Sequence, residues 1–141
     1  MMKRILVAYD GSDAAEKAFD FALGTVCPGA VQPDIIVFSV VQPPDAAAAG
    51  SAVEIVVNEM KRYYDGLLKA LREKAAEKKV EVKTEVAVGH PAEEILKFAK
   101  EGYCDMIVVG QVGKSKVETW LLGSVSRRVV TYAPCTVVVV K

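Results

Sequence analysis

The sequence predicts an α/β protein with a doubly wound, five-stranded parallel β-sheet and helices on both faces. Apolar runs rich in β-branched residues alternate with segments of helical period, and this alternation is typical of a parallel sheet covered by helices. A length of 141 residues with 52% apolar side chains fits one compact domain with its own core. We therefore expect a single domain over residues 1–141.

Five segments are predicted strands. Four are almost unbroken apolar runs, as expected where both faces of a sheet are buried. The third alternates apolar with charged residues, which favours a position near a sheet edge. The predicted strands are Ile5 to Tyr9, Ile35 to Val41, Val80 to Val88, Met106 to Val109 and Thr136 to Val140.

Four helices are predicted between these strands. Ser12 or Asp13 can cap the first, and Pro91 can begin the third because a first-turn residue needs no N–H. Gly102 would end the third helix, and the fourth would run from near Ser124 to Tyr132.

Helical spacing also predicts which side chains face the sheet. In the first helix they are Ala14, Ala18, Phe21, Ala22 and Val26, and in the second, from about Ala52 to Lys78, they are Val56, Met60, Tyr63, Leu67 and Leu71. The alanine-rich stretch of residues 43–50 fits neither strand nor helix period and predicts an irregular, mobile excursion.

Charge and hydropathy exclude several classes of protein. Eighteen basic residues balance eighteen acidic ones, so a broad electrostatic surface for nucleic acid is not expected. No apolar stretch approaches the roughly 20 residues of a membrane helix, and the first apolar run ends at Asp10, too early for a signal peptide. We expect a cytoplasmic protein that binds neither nucleic acid nor membrane.

The chemistry of the sequence is concentrated after the predicted fourth strand. A doubly wound sheet binds ligands where its strand order reverses, here between the carboxyl ends of strands one and four. Gly110 and Gly113 would let the main chain approach phosphate oxygens closely, and Gly123-Ser124 would present N–H donors at a helix start. Ser124 and Ser126 add hydroxyls there, so two separated segments should converge on one anion.

Two familiar phosphate-loop patterns do not fit. Both the Walker loop ending in Gly113-Lys114-Ser115 and the dinucleotide pattern Gly-x-Gly-x-x-Gly would need a glycine at position 108, where the predicted strand has Val108. A nicotinamide cofactor is therefore not expected.

The spacing of Gly110, Gly113, Gly123 and Ser124 resembles the nucleotide-binding motif of the universal stress protein family, which is Gly, two residues, Gly, nine residues, Gly, then Ser or Thr. Residues 5–12 resemble the opening strand and turn of that family. Gly89-His90-Pro91-Ala92 resembles its strand-to-helix step, and residues 122–126 with 133–140 resemble its ending. The resemblance extends from Lys3 to Val140, apart from the alanine-rich excursion.

The resemblance implies a Rossmann-like, adenine nucleotide α hydrolase-like domain with strand order 3-2-1-4-5 that binds ATP, or AMP or ADP. Mg²⁺ could accompany the nucleotide and would be held through Asp10. Asp10 would lie at the ribose and adenine side, and the backbone of Val40 would face the adenine. The segment expected around ribose and phosphates comprises Gly110, Gln111, Val112, Gly113, Lys114 and Ser115, and the expected phosphate ligands at the fourth helix are Gly123, Ser124, Val125 and Ser126.

Two positions depart from the family pattern. Gln111 stands where many members have Ser or Thr, and Trp120 is an unusually bulky residue within the phosphate loop. These residues also have a purely structural interpretation. Gly110 could serve merely to permit a tight turn, and Asp10 merely to shape the turn into the first helix.

The leading functional hypothesis is a nucleotide-dependent regulatory or stress-response module with no catalytic residue. One alternative is a slow ATPase or phosphoryl-transfer enzyme, for which the available groups are Asp10, Asp13, Lys114 and Lys116. Another is a nucleotide-free structural homodimer. A homodimer is expected in any case, because the apolar strand Thr136 to Val140 would form a sheet edge that recruits another strand, and the family commonly pairs there.

Overall fold

The computed structural model describes residues 3–112 and 122–141. Within them, five parallel strands form one sheet in the order β3-β2-β1-β4-β5, which confirms the predicted architecture and strand order. The strands are β1 Arg4–Ala8, β2 Asp34–Val41, β3 Val82–Val88, β4 Met106–Gly110 and β5 Thr136–Val140. Each bound lies within two residues of its prediction, and β3 and β5 are the two edges.

Helices cover both faces of the sheet. In the described residues they are α1 Asp13–Gly24, α2 Ala46–Ala49, α3 Val53–Glu77, α4 Pro91–Glu101 and α5 Ser124–Tyr132. One core lies between the sheet and α1 with α3, and the other lies between the sheet and α4 with α5. None of these helices is both long and apolar enough to cross a lipid bilayer.

The central strand β1 contributes to both cores, which explains its unbroken apolar run. Successive side chains of a strand point to opposite faces. Ile5 and Val7 accordingly belong to the α1–α3 core and Leu6 to the α4–α5 core, and each is at most 1% exposed. At the amino end, Asp105 Oδ2 accepts hydrogen bonds from the N–H groups of Lys3 and Arg4, which joins the start of β1 to β4.

The predicted inward face of α1 is wrong at its aromatic residue. Phe19 is fully buried, whereas Phe21 is 42% exposed. Both lie one helical turn from an inward alanine, so spacing alone could not separate them. The neighbouring helix decides which ring is buried, because Phe19 packs in the core shared with α3. The centroid of its ring lies 5.8 Å from Lys74 Nζ.

The buried face of α3 is also shifted by one residue. Tyr64 and Leu68 are buried, whereas the predicted Tyr63 is exposed and Leu67 is only partly buried. Leu71 is buried as predicted. Adjacent apolar pairs leave the period ambiguous by one position, and the position of α3 over β2 and β3 resolves it.

The alanine-rich excursion is not wholly irregular. It contains the one-turn helix α2, which Asp45 caps by accepting a hydrogen bond from Ala47 N at 2.9 Å, and a 3₁₀ turn at Gly50–Ala52 follows. Alanine has the highest helix propensity, so a capped alanine run forms a turn even where no apolar face repeats.

Phenylalanine-to-alanine changes in α1 should separate its buried face from its exposed face. We expect Phe19→Ala to lower the free energy of unfolding by about 3–5 kcal/mol, because it removes a fully buried ring. The matched control Phe21→Ala should cost less than about 1 kcal/mol. Urea denaturation of both variants measures the difference, and equal losses would contradict this assignment of the α1 face.

Candidate functional site

The end of β1 is shaped by a tight turn that contains Asp10. Gly11 has a φ of 84°, a conformation that glycine adopts without strain. Asp10 Oδ1 accepts a hydrogen bond from Ser12 N at 2.9 Å, and Ser12 Oγ in turn accepts one from Ala15 N at 3.1 Å. Of the two caps that the sequence left open, Ser12 is therefore the one that caps α1. Asp10 thus forms the turn, and the residue is half-buried at the carboxyl edge of the sheet.

Tyr9 fastens this end of β1 to α1. The residue is 5% exposed, and its phenol donates a hydrogen bond of 2.6 Å to Glu16 Oε1. Burial, reinforced by the hydrogen bond to Glu16, raises the pKa of Tyr9 well above its ordinary value. Burial therefore further favours the protonated form, which is the form that donates to Glu16.

Gly110, at the end of β4, allows a close approach between the sheet and α1. A Cβ at this position would lie 2.8 Å from both the carbonyl carbon and the carbonyl oxygen of Ala14. Contacts that short do not occur without displacement of the backbone, so glycine is needed here for packing, whatever it does for a ligand. The structural interpretation from sequence, a tight turn, missed this helix contact.

Two hydrogen bonds join the segments on either side of residues 113–121. Gly123 N donates to the carbonyl oxygen of Gln111 at 2.8 Å, and Ser126 Oγ donates to that of Gly110 at 2.6 Å. Gln111 N also donates to the carbonyl oxygen of Val140, which extends the pairing of β4 with β5 by one residue. The two segments predicted to converge therefore do lie together at the carboxyl edge.

The start of α5 presents backbone donors at this junction. Gly123 is the N-cap residue, with φ −64° and ψ 161°, and Arg127 N donates to its carbonyl oxygen. The N–H groups of Ser124, Val125 and Ser126 precede that bond and have no acceptor within the helix. In the described part of the chain no side chain caps α5 and no acidic residue lies in its first turn.

The two serines of α5 are not equivalent. Ser126 is 6% exposed and uses its hydroxyl to hold Gly110, so it positions the end of β4. Ser124 is exposed at the first helical position. Sequence reasoning treated both hydroxyls as candidate phosphate ligands, and only the tertiary contact distinguishes them.

The backbone of Val40, at the end of β2, points toward β1 at the carboxyl edge of the sheet. We call the space above the carboxyl ends of β1 and β4, where the strand order reverses, the crevice. Tyr9 N donates to the carbonyl oxygen of Phe38, and backbone groups of alternate residues point to the same side of a strand, so those of Val40 also point toward β1. No hydrogen bond joins Val40 to β1 among the residues described. Instead, Ser39 Oγ donates to the carbonyl oxygen of Tyr9 at 2.7 Å.

Ser39 is the site feature that sequence reasoning missed. It is fully buried, and the signal that could have found it is a serine inside the otherwise apolar run of residues 35–41.

Of the other predicted site residues, some lie within the part of the chain that the structure describes and some lie outside it. Val112 is half-buried just after Gln111. Outside the described residues lie Gly113, Lys114, Ser115, Lys116 and Trp120. The described residues contain no cluster of three or more His, Cys, Asp or Glu side chains that could hold a metal ion, and Mg²⁺ held through Asp10 stays a prediction.

Comparison with known proteins identifies the family. The model of the universal stress protein family matches residues 1–141. Universal stress protein YxiE of Bacillus subtilis is 36% identical over 152 residues, which cover all of both chains.

Solved structures share the fold. That of hypothetical protein MJ0577 has a TM-score of 0.89 and 27% identity, with 100% of this chain and 96% of that chain covered. A universal stress protein family protein from Arabidopsis thaliana, solved with AMP bound, has a TM-score of 0.73 and 22% identity over 99% of this chain and 91% of that one. With the family match over its whole length, this chain belongs to the universal stress protein family.

Proposed function

We propose that this protein binds an adenine nucleotide, ATP in the first instance, in the crevice at the carboxyl edge of its sheet, and acts as a nucleotide-dependent regulatory module in a stress response. The observation that carries this proposal is the junction of Gly110 and Gln111 with the uncapped start of α5. The hydrogen bonds from Ser126 Oγ to Gly110 and from Gly123 N to Gln111 hold two of the motif glycines, Gly110 and Gly123, on either side of that junction.

The phosphates would bind at the start of α5. Three backbone N–H groups without intrahelical acceptors, at the positive end of the helix dipole, attract an anion. The exposed hydroxyl of Ser124 adds a donor at the same point. By the family resemblance, Gly113, Lys114 and Ser115 would complete the phosphate site.

The adenine would bind at the end of β2. The N–H and the carbonyl oxygen of Val40 both face the crevice and offer one donor beside one acceptor. That pair complements the edge of adenine, where a ring nitrogen accepts and the amino group donates. The AMP-bound Arabidopsis protein supports the proposal only in that its fold, shared with this chain, accommodates an adenine nucleotide. Mg²⁺ entering with ATP would be held through Asp10.

We also propose a homodimer formed by antiparallel pairing of β5. The two sheet edges differ in charge: β3 carries Lys83, Thr84 and Glu85 in succession, whereas β5 is a threonine followed by four valines. Charged side chains protect an edge strand from pairing, and an apolar edge invites it.

Nucleotide binding and dimerisation would be coupled through Gln111. Its N–H donates to Val140 at the end of β5, and its carbonyl oxygen accepts from Gly123 at the start of α5. A ligand that shifts this segment therefore acts on the dimer strand directly, which gives the module a physical means to report its nucleotide state.

Proline at position 124 should test the phosphate site. Ser124→Pro removes one N–H but suits the first helical position, and the extended backbone of Gly123 is what a residue before proline requires. We expect ATP affinity, measured by calorimetry, to fall about tenfold or more, because a hydrogen bond to a charged group is lost. Ser124→Ala keeps the N–H and should bind more tightly than Ser124→Pro. Wild-type affinity in the proline variant would contradict the proposed site.

Proline in an edge strand should test the dimer. Gln111 N donates to Val140, so by alternation the N–H of Val139 points away from β4, toward a partner strand. Val139→Pro should yield a monomer in analytical ultracentrifugation. The control Val86→Pro removes an equivalent outward N–H from β3, since Gly89 N donates to Val41 on the opposite side, and should leave the dimer intact. A dimeric Val139→Pro protein would refute pairing through β5.

Phosphate release distinguishes a binding module from an enzyme. With ATP and Mg²⁺, we expect turnover far below the roughly 1–10³ per second of typical enzymes. Sustained release within that range, unaffected by repurification, would favour the phosphoryl-transfer alternative.

A further inference from the structure

Ser39 is an unusual residue for its position. It is 0% exposed in a strand whose other residues between Ile35 and Val41 are apolar. A buried hydroxyl is costly unless it is hydrogen-bonded, and this one donates to the carbonyl oxygen of Tyr9, thirty positions earlier in the chain. An alanine or valine would fill the strand without that requirement, so the hydroxyl calls for an explanation.

The hydroxyl donates to the carbonyl oxygen that regular pairing of β1 with β2 would use next. Between β1 and β2 the bonds run from Asp34 N to the Lys3 carbonyl oxygen and from Tyr9 N to that of Phe38. Continued with a period of two, the same pattern would place Val40 N on the Tyr9 carbonyl oxygen. Ser39 donates to that oxygen instead, and the described residues show no bond between Val40 and β1.

The parallel pairing therefore ends one step early. Gly11, with its φ of 84°, then turns the chain away toward α1. As a result the Tyr9 carbonyl is satisfied while both backbone groups of Val40 face the crevice.

We propose that Ser39 is a positioning residue that keeps the peptide edge of Val40 open for the base, and thereby favours a 6-aminopurine over a 6-oxopurine. This inference rests on the proposed nucleotide binding. An N–H beside a carbonyl oxygen complements an acceptor beside an amino group, the pattern of adenine. Guanine presents a carbonyl oxygen where adenine has its amino group, and would meet the Val40 carbonyl with an acceptor.

Hydrogen exchange in the nucleotide-free protein tests the positioning directly. In the wild-type protein, the Val40 amide should exchange at least about tenfold faster than the Phe38 amide, which lies within the paired part of β2. In Ser39→Ala the Tyr9 carbonyl loses its donor and is open to Val40 N, so Val40 exchange should slow toward that of Phe38. Ser39→Thr retains a hydroxyl and should keep the fast exchange.

Ligand selectivity tests the consequence. In Ser39→Ala we expect ATP affinity to fall about tenfold, the loss of one good hydrogen-bonded contact, with affinity for inorganic tripolyphosphate unchanged and the preference for ATP over GTP reduced. A merely structural role would not move the ratio of ATP to tripolyphosphate affinity. Ser39→Thr should restore that ratio.

Either of two results would overturn this inference and leave the proposed function standing. One is a wild-type Val40 amide that is as protected from exchange as that of Phe38. The other is unchanged ATP selectivity in Ser39→Ala when the wild-type protein binds ATP. A wild-type protein that binds no ATP would instead overturn the proposed function, and the adenine role of Ser39 with it.

Discussion

The hydrogen bonds that tie the end of β4 to the start of α5 are the constraint on which the rest of the carboxyl edge depends. Ser126 holds Gly110 and Gly123 holds Gln111, so the end of β4 and the start of α5 lie side by side. Gln111 also bonds to Val140. One short segment of main chain thereby connects the start of α5, the end of β4 and the β5 edge of the sheet.

Close packing at Gly110 supports the same edge from the opposite face. The first turn of α1 lies against Gly110 so tightly that a Cβ would collide with the Ala14 backbone. Ser12 caps that turn, and Asp10 shapes the approach to it. A glycine that matches a ligand-binding motif can therefore be required by the fold itself, so its presence alone does not establish binding.

The elements of this fold follow from local sequence pattern, whereas the faces that its helices bury do not. The strands, the four main helices and the parallel sheet were predicted because apolar period, glycine and proline act within a few residues. The orientation of α1 and α3 was not, since Phe19 and Phe21, or Tyr63 and Tyr64, satisfy the same local period. Which aromatic ring is buried depends on where the neighbouring helix lies.

The fold class and the motif spacing from Gly110 to Ser124 follow from the amino-acid sequence alone, because each is written in local pattern or in resemblance to the family. The roles of the buried hydroxyls depend instead on contacts that form only in the folded chain. Ser39 meets Tyr9 from thirty positions away, and Ser126 meets Gly110 from sixteen. Such partners are specified by the packing of strands and helices in space, and no local period encodes the distance between two groups that meet only when the sheet is assembled.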